Sequence, residues 1–327
     1  MPRLGFRVLG SKTARRRLVD AAAAFAAYCQ CDSRAEVERE AYLSAFTYGE
    51  EFRRHLEETG STKGYAGPCW GPFVWWDIDC LDDLERALSD ARRLAMGILE
   101  RYPVLDEDDV LAFFSGSKGF HFGLPTFWAP PPSLTFHRTA RRFAEALAAA
   151  AGASIDAGVY DKVRLLRAPN SRHPKTGLHK RRLRLDELLH LDAGRICQLA
   201  GKPDAFELAA VAVAATCDRA AADWQAATRA VEAEAEAKAQ RRATLVDGTP
   251  RLNRATLDFI RDGADQGDRH RLLFSAAANL AEFGCPPALA HALLSEAALD
   301  SGLPPADVRR QIQSGLNHAG KGAGDHA

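Results

Sequence analysis

The chain contains no C-x2-C pair, no excess charge of either sign and no apolar run long enough to cross a bilayer. Its seven cysteines, Cys29, Cys31, Cys69, Cys80, Cys197, Cys217 and Cys285, are odd in number and scattered. That excludes the spacing structural zinc sites favour and predicts reduced thiols rather than a disulfide framework. Cys29 and Cys31 with Cys69 are the one set that could gather on a metal, and no zinc is expected. Lys plus Arg (43) equals Asp plus Glu (43), so no bulk positive field announces a nucleic acid or a membrane surface. A polyanionic partner must be held by a local basic patch. Lysine supplies only 9 of those 43 cations. The arginine excess accompanies alanine runs and reads as compositional bias, so placement of Arg counts and abundance does not. The apolar stretch Ala21–Ala27 is far too short for a membrane span, and Arg15, Arg16 and Arg17 precede it; no targeting segment and no membrane partner are expected, and a cytoplasmic location follows.

What is present is ordinary for a packed protein: 327 residues, 46% hydrophobic and 26% charged. This excludes disorder over most of the chain and, at roughly 100–200 residues per domain, suggests two domains. Residues 13–57 read as helices, an alanine-rich one followed by a charged one over Arg34–Arg54, and Gly60 ends them. Phe73–Asp79 is an apolar, aromatic and β-branched run of strand type. A helix is expected from about Leu81 to Tyr102, with Asp82, Asp83 and Glu85 at its start and Pro103 beyond its end. Val110–Phe114 reads as a second strand that turns sharply into Phe120–Leu124, and Phe136–Ala151 as an amphipathic helix stopped by Gly152. Strands alternating with helices up to about residue 190 predict an α/β (α+β) domain over 1–200. Residues 205–243, rich in Ala and Glu, read as one or two long helices, so 201–248 is expected to be a helical linker broken at Asp247–Pro250. Residues 249–327 are expected to form an all-helical C-terminal domain, with helices at His270–Phe283, Ala288–Leu299 and Pro305–Asn317 and a fraying Gly-rich tail.

Three features carry chemistry. The first is Asp77 and Asp79, two apart at the end of the aromatic strand. Side chains alternate along a strand, so both carboxylates share a face. Two same-side acids beside an aromatic run are costly unless a cation neutralises them, and hard cations take carboxylate oxygens together with substrate phosphates. The second is Ser115-Gly-Ser-Lys-Gly-Phe-His121. Its two glycines allow close backbone approach, and Ser115, Ser117, Lys118 and His121 suit phosphate oxygens. It is not a Walker loop, which requires a different spacing. The third is Asp156 in Ile155–Tyr160, followed by nine Lys or Arg and no acid from Lys162 to Arg184. Arg164 and Arg167 are three apart, so a regular strand does not put both on one face, and a loop or twist must aim them.

In this order the three features resemble the archaeo-eukaryotic primase superfamily. The Ser115–His121 motif is similar to that of polymerase domains attached to bacterial end-joining ligases. Asp156-Ala-Gly-Val-Tyr160 with Arg164 and Arg167 is similar to the primase-polymerases of viruses, plasmids and eukaryotic organelles. The resemblance covers roughly residues 40–190. More loosely, residues 251–319, with Gly267-Asp-Arg-His270 opening a helix, resemble helical modules that follow primase cores in mobile elements. It implies a primase catalytic core with an RRM-like sheet and a nucleotidyltransferase that makes or extends primers on single-stranded DNA. Asp77, Asp79 and Asp156 match the ligands of two Mg2+ or Mn2+ ions. Ser115, Ser117, Lys118, His121, Arg164 and Arg167 match residues around the incoming NTP or dNTP. Arg172, Lys175, Lys180, Arg181 and Arg182 are expected on the template backbone, and a replicative helicase is a candidate partner. The zinc knuckle of two-subunit chromosomal primases is missing.

Three other readings remain at this point. A gap-filling, translesion or end-joining polymerase that cannot start chains would use the same residues. A D-x-D glycosyltransferase would explain the acids, but neither the Ser115–His121 motif nor the basic segment. A non-catalytic replication-initiation protein would bind DNA with a decayed site. Trp75 and Trp76 are expected in the core, with Tyr65 as a further candidate for stacking. In the C-terminal region, Arg251, Arg254, Arg261, Arg269, His270 and Arg271 interleave with acids. They form either a salt-bridged surface or, at the start of the His270 helix, a phosphate contact that helps initiation.

Overall fold

Two strands lie where local periodicity reads helix, and they correct the all-helical expectation for residues 13–57. The computed structural model describes residues 2–208, 217–245 and 252–320. Strand β1 (Leu4–Leu9) turns back into β2 (Arg17–Asp20), followed by α1 (Ala21–Cys29), β3 (Ala41–Ser44) and α2 (Glu50–Thr59). Strand β1 pairs with β2 on one side and β3 on the other, and β3 pairs in turn with the distant β7 (Leu165–Arg167), all antiparallel. Tyr42 and Leu43 gain their strand partners from residues far along the chain, which no window of neighbouring residues reports.

The second sheet holds β4 (Phe73–Asp79), β5 (Leu111–Phe114), β6 (Gly119–Pro125) and β8 (Arg181–Leu183), in the order β4-β6-β5-β8 and antiparallel throughout. Helix α3 (Leu84–Arg101) starts at Asp83, whose side chain caps the Arg86 N–H, and it buries Leu88, Leu94 and Ile98 on one face. Helix α4 (Phe136–Ala150) lies beside it, and the buried Trp76 indole N–H donates to the Ala144 carbonyl at 3.1 Å. Strand alternation therefore sends Val74, Trp76 and Ile78 toward the helices and leaves Trp75, Asp77 and Asp79 on the opposite face. The short helices α5 (Leu185–His190) and α6 (Ala193–Leu199) follow β8; Arg92 of α3 donates to the Leu188 and Leu191 carbonyls around them, at 2.8 and 2.6 Å.

The chain divides into two compact units, Met1–Ala235 and Glu236–Ala327. Helix α7 (Asp218–Leu245) begins in the first. Its Trp224, inside the stretch expected as linker, packs on Trp128, Phe136 and Phe143. One aromatic in an Ala/Glu-rich run suffices to tie that part of the helix into the first core. The second unit contains α8 (Arg254–Asp262), α9 (Arg269–Glu282), α10 (Pro287–Asp300) and α11 (Pro305–Gly320), packed around Phe259, Leu273, Leu280, Leu294 and Ile312. Buried Asn279 accepts there from the Asn253 N–H and the Thr256 hydroxyl, both at 3.0 Å. The class is thus mixed sheet and helix with a helical C-terminal region. The expected break at Asp247–Pro250, Arg251, the tail beyond Gly320 and residues 209–216 lie outside the described residues.

Asp223 fixes α7 to α3. It accepts two bonds from Arg101, at 2.7 and 2.6 Å, and one at 2.7 Å from the hydroxyl of fully buried Tyr102. Partial burial pushes the Asp223 carboxyl up, but the bonds from Arg101 and Tyr102 outweigh this and hold it below the usual range. Asp223→Ala should cost about 2–4 kcal/mol at neutral pH in urea unfolding, because it strands a buried hydroxyl and a guanidinium. A depressed carboxyl stabilises above its unfolded pKa and stops doing so as the pH falls through its native one, so the difference from wild type should shrink in acid.

Candidate active site

Antiparallel register carries the Ser115–His121 motif across from the two acids. Asp77 stands opposite His121 and Asp79 opposite Gly119 on β4 and β6, and His121 stands opposite Phe113 on β5. Directly opposed residues share a sheet face, so the acids, His121 and the turn address one space. Both glycines of the turn are needed. Gly116 has φ +85°, where a Cβ is strained, and the Ser115 N–H closes the turn on the Gly119 carbonyl at 2.9 Å. A Cβ at Gly119 would collide with the Ile78 carbonyl oxygen and the Asp79 carboxylate.

The space is a cavity of about 140 Å³. Asp77, Asp79, Ser115, Ser117, Lys118 and His121 line it from the second sheet; Arg164 and Arg167 line it from the segment that pairs with the first. The two arginines reach it together because Arg164 precedes β7, its N–H bonded to the Asp161 carbonyl at 2.9 Å in a turn, whereas Arg167 lies in the strand. Asp156 is not part of the lining, but its N–H donates to the Asp77 carbonyl at 2.8 Å, so the third acid follows β4 closely.

Asp79 and Asp156 each have a cation beside them. Lys118 Nζ meets Asp79 Oδ2 at 2.6 Å, which raises the Lys118 pKa. Asp156 Oδ1 accepts from the Gly158 N–H at 2.8 Å, capping the turn Ala157–Tyr160, and Oδ2 lies 3.6 Å from Arg164. Asp77 is the buried member. Its Oδ1 lies 3.3 Å from His121 Nε2, yet this oxygen and His121 Nδ1 are both buried without a hydrogen bond. Burial pushes the Asp77 carboxyl up, but His121, Arg164 and Lys180 together bring it below the usual range. Burial, with Lys180 next, lowers the His121 pKa against the pull of Asp77. The ring is neutral at neutral pH and donates or accepts without adding charge.

The expected template residues divide. Arg172 and Lys175 are exposed. Lys180 is 1% exposed; its Nζ donates to the Arg167 carbonyl at 2.9 Å and lies over the Phe113 and Trp75 rings. Arg181 is buried against Glu187 and Asp204, and Arg182 pairs with Asp108 at 3.3 Å and stacks on Phe206. Lys180 therefore departs from the expected phosphate-contacting role, since β8 turns it into the core. Trp75, Trp76 and Tyr65 are buried as well. In the C-terminal unit Arg254, Arg261 and Arg271 pair with Asp258, Asp262 and Asp268, and Arg269 donates to the Ser301 and Gly302 carbonyls, which is the salt-bridged alternative.

Three polar lining residues were not anticipated, Lys12, Tyr42 and His173, and Leu165 and Leu166 complete the lining. Tyr42 comes from the stretch that reads as helix and Lys12 immediately precedes that stretch, and the pairing of β1 with β2, β3 and, through β3, β7 brings them here. Among the described residues no group of three or more His, Cys, Asp or Glu is disposed to hold a metal ion.

No family model matches the chain. No curated protein matches it either. Among solved structures it is similar to one titled "Crystal structure of primase RepB'", with 14% identity, 100% of this chain and 95% of that chain covered, and a TM-score of 0.35.

Gly119→Ala should cost about 1–3 kcal/mol, because backbone and carboxylate crowd the added methyl; urea unfolding measures it. Lys180 supplies a second test. Burial lowers its pKa to about 7, and Asp77 offsets only part of this. An unfolded lysine titrates near about 10.4, so between these values the unfolded chain binds more protons and stability rises with pH. Lys180→Met removes that slope. Between pH 6.5 and 9.5 the wild type should gain stability relative to the variant; parallel curves would mean that the amine stays charged in the core.

Proposed function

We propose that this cavity is the catalytic centre of a nucleotidyltransferase, a DNA primase-polymerase that joins NTPs or dNTPs on a single-stranded DNA template. One observation carries the reading: two carboxylates on one strand face, one buried with an oxygen lacking any hydrogen bond, oppose a Ser/Lys/His turn and two arginines across a single small cavity. An acid end suits a hard cation, and a cationic end suits polyphosphate. The motifs Asp77/Asp79, Ser115–His121 and Asp156, which resemble those of archaeo-eukaryotic primases, point the same way.

The donors fit Mg2+ or Mn2+. Both are hard carboxylates, Asp77 Oδ1 lacks a partner, and phosphate oxygens and water would complete the shell. Asp77 and Asp79 would hold the ion, and Asp156 would join them on leaving its cap on Gly158. When bound, such ions neutralise charge on the departing pyrophosphate and acidify the attacking hydroxyl. The chain's own residues position the reactants. Ser115 and Ser117 donate hydroxyl bonds to phosphate oxygens. Lys118 exchanges its carboxylate partner for phosphate, and Arg164 and Arg167 fix the triphosphate from the opposite wall. The primer 3′-oxygen then forms its bond to the α-phosphorus as the bond to the bridging oxygen of pyrophosphate breaks. Arg172 and Lys175, the exposed members of the basic segment, contact the template backbone, and so binding weakens with salt.

The test uses single-stranded DNA with labelled nucleotides, with and without a primer. The wild type should make product in both reactions, and Asp79→Ala should lose nucleotide addition by about 100-fold or more while retaining DNA binding. Extension without primer-free synthesis would assign the gap-filling or end-joining alternative. DNA binding with no addition under either condition would assign a non-catalytic initiation protein.

A further inference from the structure

On one wall of the cavity Arg167 is joined by Lys12, Tyr42 and His173, which are named in none of the three features that carry the chemistry in the sequence. The loop joining β1 to β2 is fixed at its base, where the Gly10 N–H donates to the Glu40 carbonyl at 2.7 Å, and at its tip, where the Ser11 and Thr13 hydroxyls bond at 2.8 Å. It presents Lys12, whose Nζ lies 5.5 Å from the centre of the Tyr42 ring. The Arg167 guanidinium lies 5.0 Å from the same ring and also donates to the Tyr42 hydroxyl at 3.2 Å. That hydroxyl in turn donates to Glu40 at 2.5 Å, so the ring both two cations use is held in place.

The cations of the cavity fall into two kinds. Lys118 and Arg164 face Asp79 and Asp156. Lys12 and Arg167 have no carboxylate within ion-pair distance among the described residues, although both line the cavity. His173 lies with them, and its Nδ1 accepts from the Lys175 and Thr176 backbone N–H groups, both at 3.3 Å. That fixes the ring proton on Nε2. Burial, with Arg167 next, keeps the ring neutral by lowering its pKa. Two unpaired cations and a fixed N–H donor thus stand on the wall formed by the first sheet, and the carboxylates stand on the second.

We propose that Lys12, with Arg167 and His173, forms a subsite for a terminal phosphate group, that of the nucleoside triphosphate; this rests on the nucleotidyl-transfer reading and extends it. A substrate spanning the cavity then has a defined direction, with its α-phosphate at Asp77 and Asp79 and its γ-phosphate at Lys12. A monophosphate held by its α-phosphate lacks the terminal group that this subsite would take. The 5′-phosphate of a DNA end offers the same chemistry from another source, but the acids and the subsite share one cavity of about 140 Å³, which favours the nucleotide.

Isothermal titration of the full chain with ATP, ADP and AMP in Mg2+ tests this. A 5′-phosphorylated oligonucleotide and its 5′-hydroxyl counterpart serve as further probes. Lys12→Ala should weaken ATP about tenfold and AMP less than about twofold, and Lys12→Arg should restore most of the ATP affinity, as expected for loss and recovery of one charge-assisted contact. An unchanged ATP affinity, an equal loss for ATP and AMP, or a loss confined to the 5′-phosphorylated oligonucleotide would each overturn the subsite. A wild type that binds none of the three nucleotides would instead remove the nucleotidyl-transfer reading, and the subsite with it. Lys12 is exposed in a loop and buries nothing, so an unchanged unfolding midpoint shows that the variant is folded.

Discussion

A carboxylate inside an aromatic sheet is the constraint around which the first unit is arranged. Asp77 is buried on the strand that also carries Trp75 and Trp76, and charge in such surroundings needs compensation. Arg164 from the turn before β7 and Lys180 from the approach to β8 lower its pKa, together with His121 across the strand pair. None makes a tight ion pair with Asp77. The result is a carboxylate held below its usual pKa with one oxygen left without a bond. Lys118 on Asp79 shows the contrasting arrangement, a half-exposed side chain paired directly with the more exposed acid.

Lys180 shows how the two sheets share this load. Its amine holds the Arg167 carbonyl, and therefore β7, against the Trp75 and Phe113 rings of the second sheet. A buried amine without a carboxylate partner is an expensive cross-link, and its low pKa expresses that cost. Leucine would satisfy the packing, but it would lose both the bond to β7 and the positive potential felt by Asp77. Position 180 thus serves the site from behind, not from the surface where a run of basic residues suggests it lies.

The legible parts of the chain were those whose pairing is local. Strands β5 and β6 meet through the four-residue turn Ser115–Lys118, and the spacing of Asp77 and Asp79 declares their common face, so this side of the cavity follows from the sequence. Helices α3, α4, α9, α10 and α11 follow as well, from apolar spacing and end signals. The N-terminal sheet did not, because Tyr42 pairs with Val8 on one side and Arg167 on the other, and neither partner lies within a window that shows periodicity. Lys12 and Tyr42 were missed for that reason, whereas His173 stood unmarked among the Lys and Arg of the basic segment. The basic segment misled in another way. Charge density marks a surface only on average, and a strand entering a core can carry Lys180 and Arg181 inward, where rings, carbonyls and acids accept them.

Because the acids belong to one sheet and the cations without a carboxylate partner line the cavity from the side of the other, the distance between the sheets sets the width of the cavity. Phe25 of α1 packs on Phe73 and Trp75 of β4, which wedges aromatic bulk between the sheets behind the cavity. The same face of β4 therefore changes along its length from aromatic spacer, at Phe73 and Trp75, to acid site, at Asp77 and Asp79. One strand thus both holds the sheets apart and supplies the charge that makes the gap between them useful. Reversing that order would seal the acids among rings, where a charge is costly. That order is what an aromatic run ending in two alternating acids encodes.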